Sequence, residues 1–260
     1  MTGGSVPILV YHEVAPAPPA AFRRYAVTVR AFARQLAWLS ARGFRTIDMD
    51  ALVRARTGRD VLPPRPVMIT FDDGFRSCAD HAVPLLRSHG FTAVFYLVAG
   101  LVGDRSRWMA GAGVQLPLMT WSQARELARA GFQCGVHSMT HRRLTDLPPA
   151  ALQIELADAR RRAEDELGHP AVHFAYPYGA YDGAVRAAAA EAGYVTASST
   201  RPGPSGPDDD LLALHRITIH GHDTLLDFAW RLRTGAGLRE AVGRGVKAAL
   251  RRLRGGSSNA

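Results

Sequence analysis

Two adjacent carboxylates, Asp72 and Asp73, stand in the segment Thr70-Phe71-Asp72-Asp73-Gly74, directly after the apolar run 66–71. Neighbouring carboxylates in a confined site resist ionising together unless a cation stands beside them. A divalent metal removes the conflict, because one carboxylate ligates while the other keeps a proton-accepting role. Gly74 permits the sharp turn that aims both inward. Alone, the pair reads more readily as an acidic turn or helix N-cap at a strand-to-helix junction. The segment His137-Ser138-Met139-Thr140-His141 adds two imidazoles four residues apart, a spacing that places both on one face of a helical turn, as a metal site requires. The set Asp73, His137 and His141 suits Zn²⁺ best, with a position left open for water and substrate. Co²⁺, Ni²⁺, Fe²⁺ and Mn²⁺ are also compatible with such N/O ligands. A third segment, Phe174-Ala175-Tyr176-Pro177-Tyr178-Gly179, combines aromatic rings and a proline in one turn. It would make a rigid wall for a sugar ring, with backbone N–H groups free to face a developing oxyanion, or simply a packed aromatic turn.

The elements that must position these residues alternate regularly. Buried strands are expected at 7–11, 45–49, 66–71, 92–98, 132–136, 173–176, 194–198 and 211–219. Helices are expected at 29–43, 79–89, 122–130 (with Ser122 as N-cap), 148–167, 183–192 and 225–232. Strands separated by helical crossovers imply an α/β fold with a parallel sheet, either doubly wound or closed as a barrel. In both, ligands collect at the C-terminal ends of the strands. Asp72 and Asp73, His137, and Pro177 with Tyr178 each follow a strand, so three strand ends converge on one rim. His12 follows the first strand onto the same rim, where it would contact substrate or support the ligands. Trp121 and Trp108 read as packing or loop aromatics, although Trp108 lies in an irregular stretch, 100–118, that could cap the site.

Taken together and in this order, TFDDG, HSMTH and the YPYG turn resemble the successive motifs of the polysaccharide deacetylase family, the NodB homology domain of carbohydrate esterase family 4. ILVYHEV near the start, MTWSQARELARAGFQCGVHSMTHRRL around the second motif and LHRITI near the end resemble the flanks of the same family, so the likeness covers about residues 6 to 233. FAYPYG resembles the short branch acting on poly-N-acetylglucosamine-type glycans. The resemblance implies a deformed (β/α)₇ barrel, NodB-type and TIM-like, that hydrolyses the N-acetyl group of an amino sugar. It implies Asp73, His137 and His141 as the metal triad, Asp72 as the base that deprotonates the metal-bound water, and the Tyr178 N–H as a partner of the metal in stabilising the oxyanion.

Two departures from the family pattern bear on the site. Many members carry an arginine two residues before the motif proline to orient the base, and here that position is Ala175. Side chains alternate along a strand, so Arg216 and His215 point to opposite sides. If Arg216 faces the rim, it could pair with Asp72 and replace the missing arginine. The late Leu-x-His motif that supplies a general acid is also altered, with Ala213 two places before His215. His215 is the first choice for the acid, with His220 and His222 behind it.

The chain of 260 residues carries a net charge of +9. More than half of that charge lies in 234–260, where six basic residues face one acidic residue. The rest is too thinly spread for a surface that tracks phosphates, so nucleic acid is not expected as a partner. The catalytic domain is expected over 1–233, followed by a basic tail over 234–260. In 238–254, Leu238, Val242, Val246, Leu250 and Leu253 recur at helical spacing between basic residues. That pattern suits peripheral contact with an anionic membrane, or docking on the barrel, or a frayed end weakened by Gly243 and Gly245. The opening residues lack a signal-peptide pattern and no apolar stretch is long enough to span a bilayer, which points to the cytoplasm. Cys78 and Cys134 are expected as reduced, buried thiols. A cytoplasmic setting favours a small N-acetylated compound or glycolipid precursor over a wall polymer. The alternatives are a catalytically dead glycan-binding barrel and a secreted wall deacetylase whose signal has been removed.

Overall fold

The computed structural model describes residues 4–237. In chain order its strands are β1 (Ile8–Tyr11), β2 (Glu13–Ala15), β3 (Ala26–Thr28), β4 (Arg45–Thr46), β5 (Pro66–Phe71), β6 (Val94–Leu97), β7 (Gln133–Val136), β8 (His173–Ala175), β9 (Thr196–Pro202) and β10 (Leu214–Thr218). Seven of them lie side by side in the order β1-β10-β9-β8-β7-β6-β5, all parallel. β5 then pairs back onto β1, with Ile8 opposite Met68 and Tyr11 opposite Phe71. The ring is closed, and the fold is the NodB-type (β/α)₇ barrel. β4 pairs with the first residues of β5, and its Thr46 Oγ1 accepts the Thr92 N–H near the start of β6 at 2.8 Å. β2 and β3 form a small parallel pair outside the ring.

The helices are α1 (Val29–Ala41), α2 (Met49–Arg56), α3 (Val83–Ser88), α4 (Trp121–Arg129), α5 (Pro149–Gln153), α6 (Ala159–Leu167), α7 (Gly183–Glu191) and α8 (Leu225–Thr234). Strand alternation divides the core in two. Leu9, Tyr11, Val67, Ile69, Phe71 and Ile217 pack outward against Phe32, Leu36 and Leu39 of α1 and the other helices. Ile8, Met68, Val94, Tyr96, Ala175 and Leu214 form a second cluster within the ring. One period-two step beyond Leu214 carries Arg216 into the barrel interior, and two steps beyond Met68 bring Asp72 to the rim.

Several expected boundaries move for identifiable reasons. α4 is capped by Thr120, not Ser122, because Thr120 Oγ1 accepts the Gln123 N–H while Gln123 Oε1 accepts the Thr120 N–H, a complete capping box. The strand expected at 45–49 is cut to two residues, since Asp48 Oδ1 accepts the Ala51 N–H at 2.7 Å and starts α2. The helix expected at 148–167 is continuous but widens into a π turn over Ile154–Asp158. The last strand begins at Leu214, after a short 3₁₀ turn at Leu211–Ala213. Cys78 and Cys134 are buried free thiols. Among the described residues no helix is long and apolar enough to cross a membrane. The amphipathic segment 238–254 lies outside the described residues.

Candidate functional site

Asp72 and Asp73 leave the end of β5, His137 and His141 follow β7, and Tyr178 follows β8, so parallel topology alone gathers them at one rim. Asp73 adopts φ 73° and Gly74 φ 70°, which turns the chain sharply and points both carboxylates inward. The His137–His141 segment is not the helical turn expected from its spacing. Ser138 (φ 65°) and His141 (φ 64°) are left-handed, and the segment is a tight loop in which Ser138 Oγ accepts the His141 N–H at 2.9 Å. The two imidazoles converge across that loop, with ring centroids 4.9 Å apart.

One side chain unforeseen in the sequence holds this loop. Glu155 is buried on the π turn, and its Oε2 accepts the N–H groups of Met139 at 3.0 Å and Thr140 at 2.9 Å, while Oε1 pairs with Thr140 Oγ1. The signal was available. Glu155 lies on the same helical face as Leu152, Leu156, Ala159 and Ala163, a stripe that otherwise goes to the core.

Asp73, His137 and His141 are all buried, and one donor atom from each lies within 4.8 Å of the others. Asp73 Oδ1 is 3.4 Å from His137 Nε2 and 3.2 Å from His141 Nε2. His137 Nδ1 is 2.7 Å from the Ala175 carbonyl oxygen, which can only accept, so Nδ1 carries the proton. A neutral His137 therefore presents the lone pair of Nε2 to a carboxylate. That contact is unfavourable unless a proton or a cation lies between them, and Asp73 Oδ1 has no hydrogen-bond partner to relieve it. Burial would raise Asp73, yet its contacts with His137 and His141 outweigh burial and hold it far below the ordinary carboxylate range. The residues thus fit a divalent metal by donor type, tautomer and charge.

Asp72 is matched by a different partner. Arg216, fully buried inside the ring, donates Nη1 to Asp72 Oδ1 and Nη2 to Asp72 Oδ2, each at 2.7 Å. Its Nε donates to the Ser199 carbonyl at 2.8 Å, and its Cζ lies 5.7 Å from the centre of the Tyr96 ring. Burial alone would raise Asp72; the Arg216 charge, with contributions from His137 and His12, keeps it below the usual carboxylate value. Ala175 is fully buried, and the guanidinium reaches Asp72 from β10 instead of from that position.

These groups open into a cavity of about 690 Å³. Trp108 stacks on His141 with centroids 4.4 Å apart and planes 19° apart. Tyr178, at φ 61°, sets its ring edge-on to His141 at 4.8 Å, and Arg143 packs over that ring. The turn is tight, because a Cβ on Gly179 would run into Thr200 Oγ1 and its backbone. Pro177 is buried beneath, and Tyr176 is turned away to donate its hydroxyl to the Leu212 carbonyl at 2.9 Å, so Tyr176 does not line the cavity. His12 and His220 do. His215 does not. It lies on the opposite face of β10 from Arg216, beside Gly203 and outside the cavity lining. His222 is largely exposed and stacks on His220 from outside the cavity lining. Trp121 also lies outside the lining, whereas Trp108 forms part of it.

A family model described as polysaccharide deacetylase matches residues 59–197. YxkH of Bacillus subtilis (strain 168), assigned by name to the polysaccharide deacetylases, is 26% identical over 214 residues, covering 82% of this chain and 71% of that protein. The poly-beta-1,6-N-acetyl-D-glucosamine N-deacetylase of Escherichia coli (strain K12) is 31% identical over 112 residues. That stretch covers 42% of this chain and only 17% of the E. coli protein. The solved Streptococcus pyogenes deacetylase PplD, in complex with acetate, superposes with a TM-score of 0.77 at 23% identity, covering 88% of this chain and 98% of that one.

Proposed function

Since this chain belongs to the polysaccharide deacetylase family, we propose that it is a metal-dependent hydrolase that removes the acetyl group from an N-acetylated amino sugar. The observation that carries this reading is the division of labour between two adjacent carboxylates. Asp73 is turned to His137 and His141, while Asp72 is held ionised by both Nη groups of Arg216 at 2.7 Å. A glycan-binding barrel without chemistry would have no use for that second, separately stabilised carboxylate.

Asp73, His137 and His141 would hold the metal. A divalent cation there, Zn²⁺ by donor preference, supplies Lewis acidity to the scissile carbonyl and to the attacking water. Asp72 takes the proton of that water as its oxygen bonds to the acetamide carbon, and Arg216 fixes the carboxylate that receives it. The early N–H groups of a short turn such as Pro177–Gly179 lack intrahelical acceptors, so the Tyr178 N–H is available to the oxyanion. When the C–N bond breaks, the departing nitrogen needs a proton. Of the lining imidazoles outside the metal set, His12 directly follows Tyr11, whose carbonyl accepts the Asp72 N–H at 2.9 Å, and we assign it the donor role in place of His215. The products are acetate and the free amine.

The FAYPYG motif and the E. coli relative support β-1,6-linked N-acetylglucosamine oligomers as the first substrates to try, beside small N-acetylated sugars and glycolipid precursors. The test is acetate release from these compounds by metal-loaded protein. Release that is abolished in D72N with metal content retained is the expected result. Full metal occupancy with no acetate from any of them would overturn the reading.

A further inference from the structure

The cavity lining continues past His12 to Arg24, Tyr25 and His220, which the reaction above does not use. Tyr25 links this arm of the cavity to His12, with its ring 5.3 Å from His12 and 6.3 Å from His220. His220 is 7% exposed, lines the cavity, and has an Nδ1 with no hydrogen-bond partner. Its ring lies flat against His222, with centroids 5.4 Å apart and planes 10° apart, and its backbone N–H is held by Asp223 Oδ2 at 2.8 Å. A buried imidazole that lines a cavity and has a ring nitrogen without a protein partner has hydrogen-bonding capacity that a ligand can use.

The charges around this arm define the ligand. Among the described residues, Asp72 and Asp73 are the only carboxylates that line the cavity. The first is matched by Arg216 and the second is turned to the metal-binding imidazoles. Asp223, whose Oδ2 also accepts the His220 N–H, is outside the lining and meets Arg231 Nε at 2.9 Å. Arg24 lines the arm, packs over Tyr25 at 5.6 Å, and has no carboxylate within ion-pair distance among the described residues. Burial, together with the charges of Arg231, Arg24 and His222, outweighs Asp223 and pushes His220 down to about 4. The ring is therefore neutral at pH 7 and sits in a positive field, where an oxyanion is favoured and a cation is not.

We infer that the N-acetylated substrate also carries an anionic group, a phosphate ester or a carboxylate, which Arg24 and His220 receive while the acetamide lies at Asp72 and Asp73. Arg24 offers a forked, charge-assisted pair of hydrogen bonds, and the neutral His220 ring offers one N–H. The inference rests on the deacetylase reading and names the class of substrate for that same site.

The experiment compares kcat/KM for acetate release by metal-loaded protein from N-acetylglucosamine, N-acetylglucosamine 6-phosphate, N-acetylglucosamine 1-phosphate and N-acetylmuramic acid. The phosphate and carboxylate arms separate the two sources of negative charge. At least one anionic compound should exceed the neutral sugar by roughly tenfold or more, the effect of one charge-assisted contact. In R24E that ratio should fall toward one, with circular dichroism and metal content confirming an intact fold. Equal or better turnover of the neutral sugar would overturn the inference and leave the deacetylase reading in place. If no compound releases acetate, calorimetric titration with the same anionic sugars decides. Binding by the wild type that is lost in R24E upholds the anion subsite while the deacetylase reading fails. No binding rejects the subsite as well.

Discussion

Arg216 meets Asp72 through two parallel hydrogen bonds of 2.7 Å inside the barrel, and both side chains are almost wholly buried. Removing one member of a buried pair leaves the other uncompensated, at a cost of about 3–5 kcal/mol. R216A should therefore lose stability of that order in chemical denaturation, and about 100-fold or more in kcat. R216K, which keeps the charge but not the fork, should fall between. Asp72 titrates below its ordinary value in the fold. The stabilisation from that shift is present at neutral pH and is lost as pH falls through the folded value. In R216A burial loses its main counterweight, so the acid limb of kcat/KM should move to higher pH. Metal content should not change. Wild-type activity in R216A would remove Arg216 from the mechanism.

Glu155 supports the metal ligands without touching them. Its carboxylate satisfies the N–H groups of Met139 and Thr140 within the loop that carries His137 and His141. E155A orphans these donors, a loss of about 1–3 kcal/mol. It should weaken metal binding by roughly tenfold or more, as loss of an outer support does elsewhere. Chelator competition measures this directly. E155Q keeps acceptors but not the charge and should retain more affinity. Unaltered metal affinity in E155A would show that the loop holds its shape unaided.

The rim was legible in the sequence because its parts are local. Apolar runs marked the strands that end at Asp72 and His137, and strand alternation alone raised the prospect of Arg216 facing Asp72. The conformation of the His137–His141 loop was not legible. A spacing of four suggests a helix, whereas the segment is a loop with left-handed backbone at Ser138 and His141, braced by Glu155, well beyond the motif in sequence. His215 was preferred for its likeness to a motif, although the alternation that favoured Arg216 placed it on the outer face. Arg24, Tyr25 and Arg231 carry no motif at all, and only closure of the ring brings them to the cavity.

At the opposite end of the barrel, His173 ties the strand starts to α2. Its Nδ1 meets Thr196 Oγ1 at 2.9 Å and its Nε2 meets Asp50 Oδ1 at 3.0 Å. Gln133 Nε2 donates to the other Asp50 oxygen at 2.9 Å, and Gln133 Oε1 accepts the Met49 N–H. H173A should lower stability by about 1–3 kcal/mol through unpaired polar groups. Because barrel chemistry sits at the other face, kcat/KM should be unchanged at temperatures where the variant is folded. A loss of activity at full foldedness would contradict this separation of ends.

His220 should leave its mark on acid stability. Its folded value of about 4 lies below the ordinary 6.5, so between those values the unfolded chain binds a proton that the folded chain refuses. Stability then falls as pH drops through this window, by at most the slope of one proton. Glu13 works in the other direction. Burial raises it from 4.5 to about 6, so its folded form holds a proton the unfolded chain has released, and its penalty grows as pH rises through that range. Comparing wild type with H220Q cancels Glu13, which is present in both. Melting temperatures measured from pH 7 to 4.5 should fall more steeply for the wild type than for H220Q. Parallel curves would mean that His220 takes up its proton in the folded chain as readily as in the unfolded one, and the positive field assigned to that arm of the cavity would have to be withdrawn.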